Sequence, residues 1–414
     1  MKKEILRLLR CSFCGTNISV ANDAIRDERN GSLWTAILGC ECCAYPLVDG
    51  IPVLLANDRT RQALRALDAN DIVHARQILL ELDDASAHSL SMLIDNNRTP
   101  TYRELLEAIS DDAETDYFLY RFSDPTYRSA DAIIRALTAH HNYSSQTAVL
   151  DLCGGSGHLT RSLLARPEPG ETVLADLYYW KLWVAARTTA IGSTGICCDA
   201  SNPLPFASGS FSSVVLSDAF PYIWHKRLCA DEMMRVTTDE GIIVMPHLHS
   251  ALGENMSAGN TLTPASYQRL FSQRKARLFD DKILLDDLLG NTAIDLMNDI
   301  EPCALGKTPA ITLIATHAEW VFKRHNIQTD LNVRGRLIVN PLYKLSYRNR
   351  KSHLTLQFPT PEYGEEYKAL QRYLPDKLVV SADLRSPLNA DEIGIEYREL
   401  RRQCGLLDVP NHYC

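Results

Sequence analysis

The sequence predicts an α/β protein centred on a doubly wound, mostly parallel sheet. A small cysteine-rich unit and a helical connector precede the sheet, and a small α+β unit follows it. Three observations carry that expectation. Between residues 147 and 246, short apolar runs rich in β-branched residues alternate with helical patterns, as strand–helix–strand units do. Glycines at 154, 155 and 157 join the first of those runs to the first helical pattern. Cys11, Cys14, Cys40, Cys42 and Cys43 cluster near the start, while the other cysteines are scattered.

Cys11-Ser-Phe-Cys14 and Cys40-Glu-Cys-Cys43 are two C-x-x-C knuckles. Each spacing lets a tight turn aim two thiolates at one ion, and the pair completes a tetrahedron. Cys11, Cys14, Cys40 and Cys43 are therefore the expected ligands of a structural zinc ion. With four protein ligands no position stays open for water, so the ion would hold the fold rather than perform chemistry. Cys42 could replace Cys43, but C-x-C geometry is less usual and Cys42 reads as a bystander. Beyond the knuckles, Tyr45-Pro-Leu-Val-Asp-Gly-Ile-Pro-Val-Leu-Leu55 has a turn signal at Asp49-Gly50 and then an apolar run that reads as a strand. Residues 8–55 resemble the zinc-ribbon family that includes the activating subunit of tRNA and protein methyltransferases. Its members carry both knuckles and then a Tyr-Pro-hydrophobic-x-Asp-Gly-Ile-Pro stretch. Here Tyr45 follows Cys43 by only two residues, so either the turn is tighter than the family's or the ligand register differs.

From Asn57 to about residue 141 apolar residues such as Leu64, Leu67, Ile72, Ala75 and Leu79 recur at helical spacing, which predicts three to five helices. The aromatic-dense stretch Tyr117–Tyr127 reads as core in preference to the wall of a ligand site.

Thr147 to Leu164 passes from an apolar run through the glycines into a helical pattern: strand, tight loop, helix. Glycines let the loop backbone approach a ligand closely. A dinucleotide fingerprint would need a third glycine where Thr160 stands, and Asp151 at the strand end would sit badly beside a pyrophosphate but well beside a cationic cofactor. Thr172 to Asp176 is a second strand ending in a carboxylate suited to a ribose diol. Ile196 to Ala200, Pro205 to Asp218, Cys229 to Val236 and Gly241 to Pro246 continue the alternation.

In this order the segments over residues 130–247 resemble class I S-adenosylmethionine-dependent methyltransferases. The likeness is to the broad group with D-x-G-x-G-x-G, a ribose carboxylate, P-F-x-x-x-x-F and R-V-x-x-x-G. The resemblance implies a Rossmann-like core, S-adenosylmethionine as cofactor and methyl transfer as the activity. Carried over by position, Asp151, Gly155 and Gly157 line the methionine end, Asp176 the ribose, and Asp199 with Ala200 the adenine. Cys153, Gly154, Leu177 and Ser217 complete the implied cofactor-binding set. Cys153 stands where the family loop usually has its first glycine.

Methyl transfer is an in-line displacement, so the protein mainly supplies proximity, orientation and removal of water, and a base helps only if the acceptor carries a proton. Candidates for catalysis follow the fourth and fifth strands: Tyr222 and His225 in the first loop, His247 and His249 in the second. The stretch from Ser250 to Thr263 reads as a substrate loop.

A net charge of −8 gives no general attraction to phosphate backbones. The local exception is the stretch from Lys323 to Lys351, where eight basic residues face Asp330 alone and Tyr343 and Tyr347 are interleaved. The preferred reading is methylation of a small molecule or natural-product intermediate at O, N or S, with ribbon and C-terminal unit closing over the site or forming a homodimer. RNA as the acceptor, in an rRNA or tRNA methyltransferase, is the second. An inactive scaffold or activator is the third. No apolar run reaches the ~18 residues of a membrane span, and charges interrupt the start, so a cytoplasmic location without membrane contact is expected. The expected units are a zinc ribbon (1–56), helical connector (57–128), cofactor-binding core (129–250), substrate-side loop with the remainder of the core (251–330) and accessory unit (331–414). Pro341, Pro359, Pro361, Pro375 and Pro387 punctuate the last of these.

Overall fold

The computed structural model describes residues 1–22, 24–95, 98–109, 112–138, 148–167, 170–255, 257–327, 333–385, 388 and 395–413. Thr147, Asp330 and Pro387 lie outside these. Five short strands form the N-terminal unit: β1 (Ser19–Val20), β2 (Arg26–Arg29), β3 (Ser32–Gly39), β4 (Ala44–Val48) and β5 (Ile51–Pro52). Six helices follow: α1 (Asp58–Asp68), α2 (Ile72–Leu80), α3 (Asp84–Asp95), α4 (Tyr102–Ile109), α5 (Asp112–Tyr120) and α6 (Pro125–Thr138). The expectation was three to five. Asn70 and Glu81 adopt left-handed backbone, φ 60° and 63°, and break the pattern without the glycine or proline that marks a break in a sequence.

The core runs β6 (Ala148–Leu152), α7 (Thr160–Leu164), β7 (Thr172–Asp176), α8 (Tyr179–Ala185), β8 (Thr194–Cys197), β9 (Phe211–Val215), α9 (Lys226–Val236), β10 (Thr237–His249), α10 (Pro264–Leu270), β11 (Ala276–Asp280), α11 (Asp281–Asn291), β12 (Ala293–Asp295), β13 (Ala310–Ala315) and β14 (Arg324–Asn326). The C-terminal unit contains β15 (Arg336–Val339), β16 (Tyr343–Arg348), β17 (Lys351–Leu356), α12 (Pro361–Glu366), β18 (Lys377–Val380), α13 (Ile395–Arg402) and β19 (Leu406–Val409). Among the described residues no helix is long and apolar enough to cross a membrane.

Seven strands make the central sheet in the order β11-β13-β10-β9-β6-β7-β8. β8, β7, β6, β9 and β10 are parallel, and β13 alone runs against its neighbours β10 and β11. This mostly parallel, two-faced sheet fits the expected Rossmann-like core. Alternate residues feed two apolar layers: Val149, Leu174 and Val244 enter one, Leu150, Val173 and Met245 the other.

The alternation changes phase in β10. Met245 pairs with Leu313 but Leu248 pairs with Ile311, so β10 holds one residue more than β13 across that interval. Met245 and Leu248 consequently enter the same layer, and His247 and His249 turn to the opposite face. Pro246, which has no N–H to give a ladder, sits in this bulge. The expected strand ended there, whereas the observed one continues to His249.

The N-terminal unit is welded to the sheet. Val53 bridges Cys197 in parallel and the Leu54 N–H donates to the Cys197 carbonyl at 2.8 Å, which covers the outer edge of β8. Asp49 and Gly50, φ 50° and 78°, form the two-residue turn between β4 and β5, as the Asp-Gly signal requires. The Asp49 carboxylate, 4% exposed as a residue, accepts two bonds from Arg76 of α2 (2.6 and 2.8 Å), one from the Trp183 indole of α8 (2.7 Å) and one from Arg187 (3.3 Å). Burial alone would raise its pKa, but the two guanidinium groups hold it below the usual carboxylate range.

Asp49→Asn leaves two part-buried guanidinium groups facing a neutral amide and should cost about 3 kcal/mol in urea unfolding. A depressed folded-state pKa means that the carboxylate's stabilisation is full above about pH 4 and is lost as pH falls through the folded value. The gap between wild type and variant should therefore narrow on acidification.

Candidate active site

The loop after β6 is shaped by close contacts. Cys153, Gly155 and Gly157 all have positive φ (56°, 56° and 81°), so the cysteine occupies a left-handed position that a glycine would fill without strain. A Cβ on Gly154 would lie 2.5 Å from the Asp151 carboxylate and from Leu174, so no other residue fits there. Asp151 is buried beneath the loop and accepts a hydrogen bond from the Thr160 hydroxyl at 2.6 Å. Burial, with a smaller contribution from the Asp176 charge, pushes its pKa up to about 7. Asp176, at the end of β7, accepts from the Gly155 N–H (2.9 Å) and the Tyr178 N–H (3.0 Å), which ties the loop to the next strand.

Phe118 of α5 lies over Gly155, 3.2 Å from where a Cβ would stand, and Tyr102 of α4 hydrogen-bonds Ser156 at 2.6 Å. Tyr413 stacks on Tyr102 at 4.9 Å and donates to the backbone of Leu119 at 2.8 Å, so the end of the chain supports the helices that cover the loop. His158 is packed among Tyr102, Phe118, Phe122 and Tyr413. Burial, helped by the Arg121 charge, lowers its pKa to about 3, which keeps it neutral and structural.

Asp199 accepts from the Ser201 N–H (2.7 Å) and the Asn202 amide (2.9 Å) and shapes the turn after β8, with Ala200 buried beside it. Leu177 is exposed. Ser217 donates to the Pro246 carbonyl at 3.3 Å, linking the ends of β9 and β10.

At those two strand ends the structure brings His247 and His249 together with Asp218. His249 Nε2 lies 3.1 Å from Asp218 Oδ1, and His247 Nδ1 lies 2.9 Å from Asp281 Oδ2. Asp281, the first residue of α11, also accepts from the Thr312 hydroxyl at 2.6 Å. Tyr117 donates to Asp218 at 3.4 Å, and Arg121 pairs with Asp124 at 2.5 Å. Burial would lower the His247 pKa, but the bond to Asp281 and the charges of Asp218 and Asp281 raise it to about 9. Burial would raise that of Asp218, yet the His249 hydrogen bond and the His247 and Arg121 charges hold it far down. The other two candidates, Tyr222 and His225, are exposed and stand outside this group. Tyr117, Asp218 and Asp281 were missed by sequence reasoning. For Tyr117 a signal existed in the aromatic stretch, which supplies both core residues and, through Tyr117 and Phe118, the wall of the site.

At the N-terminus the Sγ atoms of Cys11, Cys14, Cys40 and Cys42 lie within 4.8 Å of one another. Cys42 stands in this group, where Cys43 was expected as the fourth member. Residue 43 closes the second turn with its backbone: its carbonyl accepts from the Cys40 N–H (3.0 Å), and its N–H donates to the Cys40 sulfur (3.2 Å). Its sulfur lies 3.4 Å from that of Cys42, and Cys42 at the turn carries the thiol that faces Cys11 and Cys40. Tyr45 takes part through its hydroxyl, 3.2 Å from the Cys11 sulfur.

The basic stretch is partly consumed internally. Arg334 pairs with Asp131 and Asp408, and Arg324 with Asp287 and Asp295, while Lys344, Arg348, Arg350 and Lys351 are exposed on the β16–β17 hairpin.

Residues 149–241, the segment that carries the glycine loop and the strand-end carboxylates, match the family model of a methyltransferase domain. No curated protein matches the chain. Among solved structures it is similar to a SAM-dependent methyltransferase from Thermotoga maritima titled a possible histamine N-methyltransferase (12% identity, 52% of this chain and 99% of the other, TM-score 0.34). It is similar also to a SAM-dependent methyltransferase from Aquifex aeolicus (10% identity, 48% and 97%, TM-score 0.33). A third is a chain from the complex of the Trm112 methyltransferase activator and a methyltransferase of Haloferax volcanii (16% identity, 46% and 90%, TM-score 0.33).

Gly154→Ala should lower the melting temperature, at a cost of about 1–3 kcal/mol from the forced contact. Gly290→Ala, in α11 where an added Cβ meets open space, should raise it by up to about 1 kcal/mol. Equal effects in thermal unfolding would contradict the tight fit at Gly154.

Proposed function

We propose that the protein transfers the methyl group of S-adenosylmethionine to a small-molecule acceptor. The observation that carries this reading is the glycine loop tied through Gly155 to the Asp176 carboxylate, inside the matched methyltransferase segment. When bound, S-adenosylmethionine supplies a methyl group activated by its sulfonium. The Gly154–Gly157 backbone gives the methionine end close approach, and Asp176 takes the ribose hydroxyls. Asp199 and Ala200 border the adenine. Phe118, above Gly155, keeps water from the centre. The acceptor lies toward Asp218, His247 and His249, which orient it, and His249, paired with Asp218, takes its proton if it has one. The pairing of Arg324 and Arg334 with aspartates supports a small acceptor over RNA.

The ribbon thiols suit a structural zinc ion. Zn–S bonds of about 2.3 Å set tetrahedron edges of about 3.8 Å. The observed separations are 3.7 Å for Cys11–Cys42 and 3.8 Å for both Cys14–Cys40 and Cys40–Cys42. Residues 1–56 then serve as a ribbon whose metal holds the turns that cover β8, and the protein works in the cytoplasm.

Calorimetric titration of zinc-loaded protein with S-adenosylhomocysteine should give saturable binding that weakens at least about tenfold in Asp176→Ala, because a charge-assisted hydrogen-bond acceptor is lost. Folded wild type that binds none would contradict the reading. Metal analysis separates the thiols: Cys42→Ser should lose zinc and melt at lower temperature, while Cys43→Ser keeps one ion per chain. The reverse result would restore Cys43 as the ligand.

A further inference from the structure

We propose that Asp218, His247 and His249 form a binding site for a divalent transition-metal ion on the acceptor side of the methyltransferase centre, separate from the thiol cluster. The inference rests on the proposed transferase reading for the site's role, though not for its existence.

One carboxylate and two imidazoles each place a ligand atom within 4.8 Å of the others. The 3.1 Å between His249 Nε2 and Asp218 Oδ1 falls between the adjacent-ligand spacings of about 3.0 Å in octahedral and about 3.4 Å in tetrahedral geometry for bonds of about 2.1 Å. The imidazole of His247 is held as a metal ligand's would be. Its Nδ1 is bonded to Asp281, which is in turn held by the Thr312 hydroxyl, so Nε2 is left as the donor. Tyr117 braces Asp218 in the same way.

The backbone is committed to this arrangement. Asp218 and His247 have φ of 60° and 57°, a left-handed conformation that costs non-glycine residues energy and persists where surrounding structure enforces it. The bulge at Pro246 puts both histidines on one face. Asp281 and Asp124 add two carboxylates to that of Asp218, and Arg121, paired with Asp124, is the neighbouring fixed cation. That balance favours a bound cation.

Two imidazoles with one carboxylate suit Fe2+, Co2+, Mn2+ or Zn2+ better than Mg2+ or Ca2+, which prefer all-oxygen sites. Three protein ligands leave coordination positions open. The ligand class that would fill them is an acceptor with a hydroxyl or enolate oxygen, which the ion would orient and make more acidic.

Co2+ titration of protein whose thiol cluster is already filled with zinc tests this, with absorption and metal analysis as readouts. The expected result is one further equivalent of cobalt per chain, with the visible bands of a nitrogen and oxygen site and no thiolate charge-transfer band. Asp218→Ala and His249→Gln should abolish it, and Asp281→Asn should weaken it about 10–100-fold. S-adenosylhomocysteine binding on the same samples reports that each variant is folded, and the glutamine variant serves if Asp218→Ala does not fold. No second equivalent in wild type that binds S-adenosylhomocysteine would overturn the site and leave the transferase reading standing. Cobalt bound by protein that takes no S-adenosylhomocysteine would support the site while removing the transferase reading.

Discussion

The buried carboxylate of Asp49 is the joint on which the molecule depends. It receives donors from the connector through Arg76 and from the core through Trp183 and Arg187, while its own turn belongs to the ribbon. A single anion thereby fixes three parts of the chain in one geometry, and desolvation makes that geometry costly to leave. With the turn fixed, Val53 and Leu54 lie along β8 and close the sheet's exposed edge. The sheet then presents β6, β7, β9 and β10 with their carboxyl ends together, which is where a parallel sheet offers a ligand crevice.

The two halves of the candidate site meet through α5. Phe118 covers the glycine loop, and the adjacent Tyr117 reaches Asp218, so one helix spans from the cofactor loop to the acceptor side. That helix is supported from below by Tyr413, through the carbonyls of Phe118 and Leu119. The C-terminal unit is accordingly part of the site's scaffold. Arg161 and Arg334, both bonded to Asp408, fasten the same region to α7 and α6.

Local patterns with a fixed chemical meaning were legible in the sequence. The Asp-Gly turn, the glycine loop and the strand-end carboxylate Asp176 all stand where their residue types require. What was not legible depended on backbone register. One extra residue at Pro246 decided which face His247 and His249 occupy, and the turn of the second knuckle decided that the Cys42 thiol stands among those of Cys11, Cys14 and Cys40. Left-handed residues at Asn70 and Glu81 divided the connector without any glycine to announce it. Long-range partners such as Asp281 for His247, or Arg76 for Asp49, carry no local signal at all. Tyr222 and His225 are near the strand ends in sequence but stay on the surface, because the turn that follows β9 points them outward.

The most direct test of the central claim is a crystal structure of the protein with S-adenosylhomocysteine. The ribose hydroxyls should lie on the Asp176 carboxylate, the homocysteine moiety against Gly155 and Gly157, and the sulfur should point toward Asp218 and His249. A nucleoside bound elsewhere, or a sulfur directed away from that group, would contradict it.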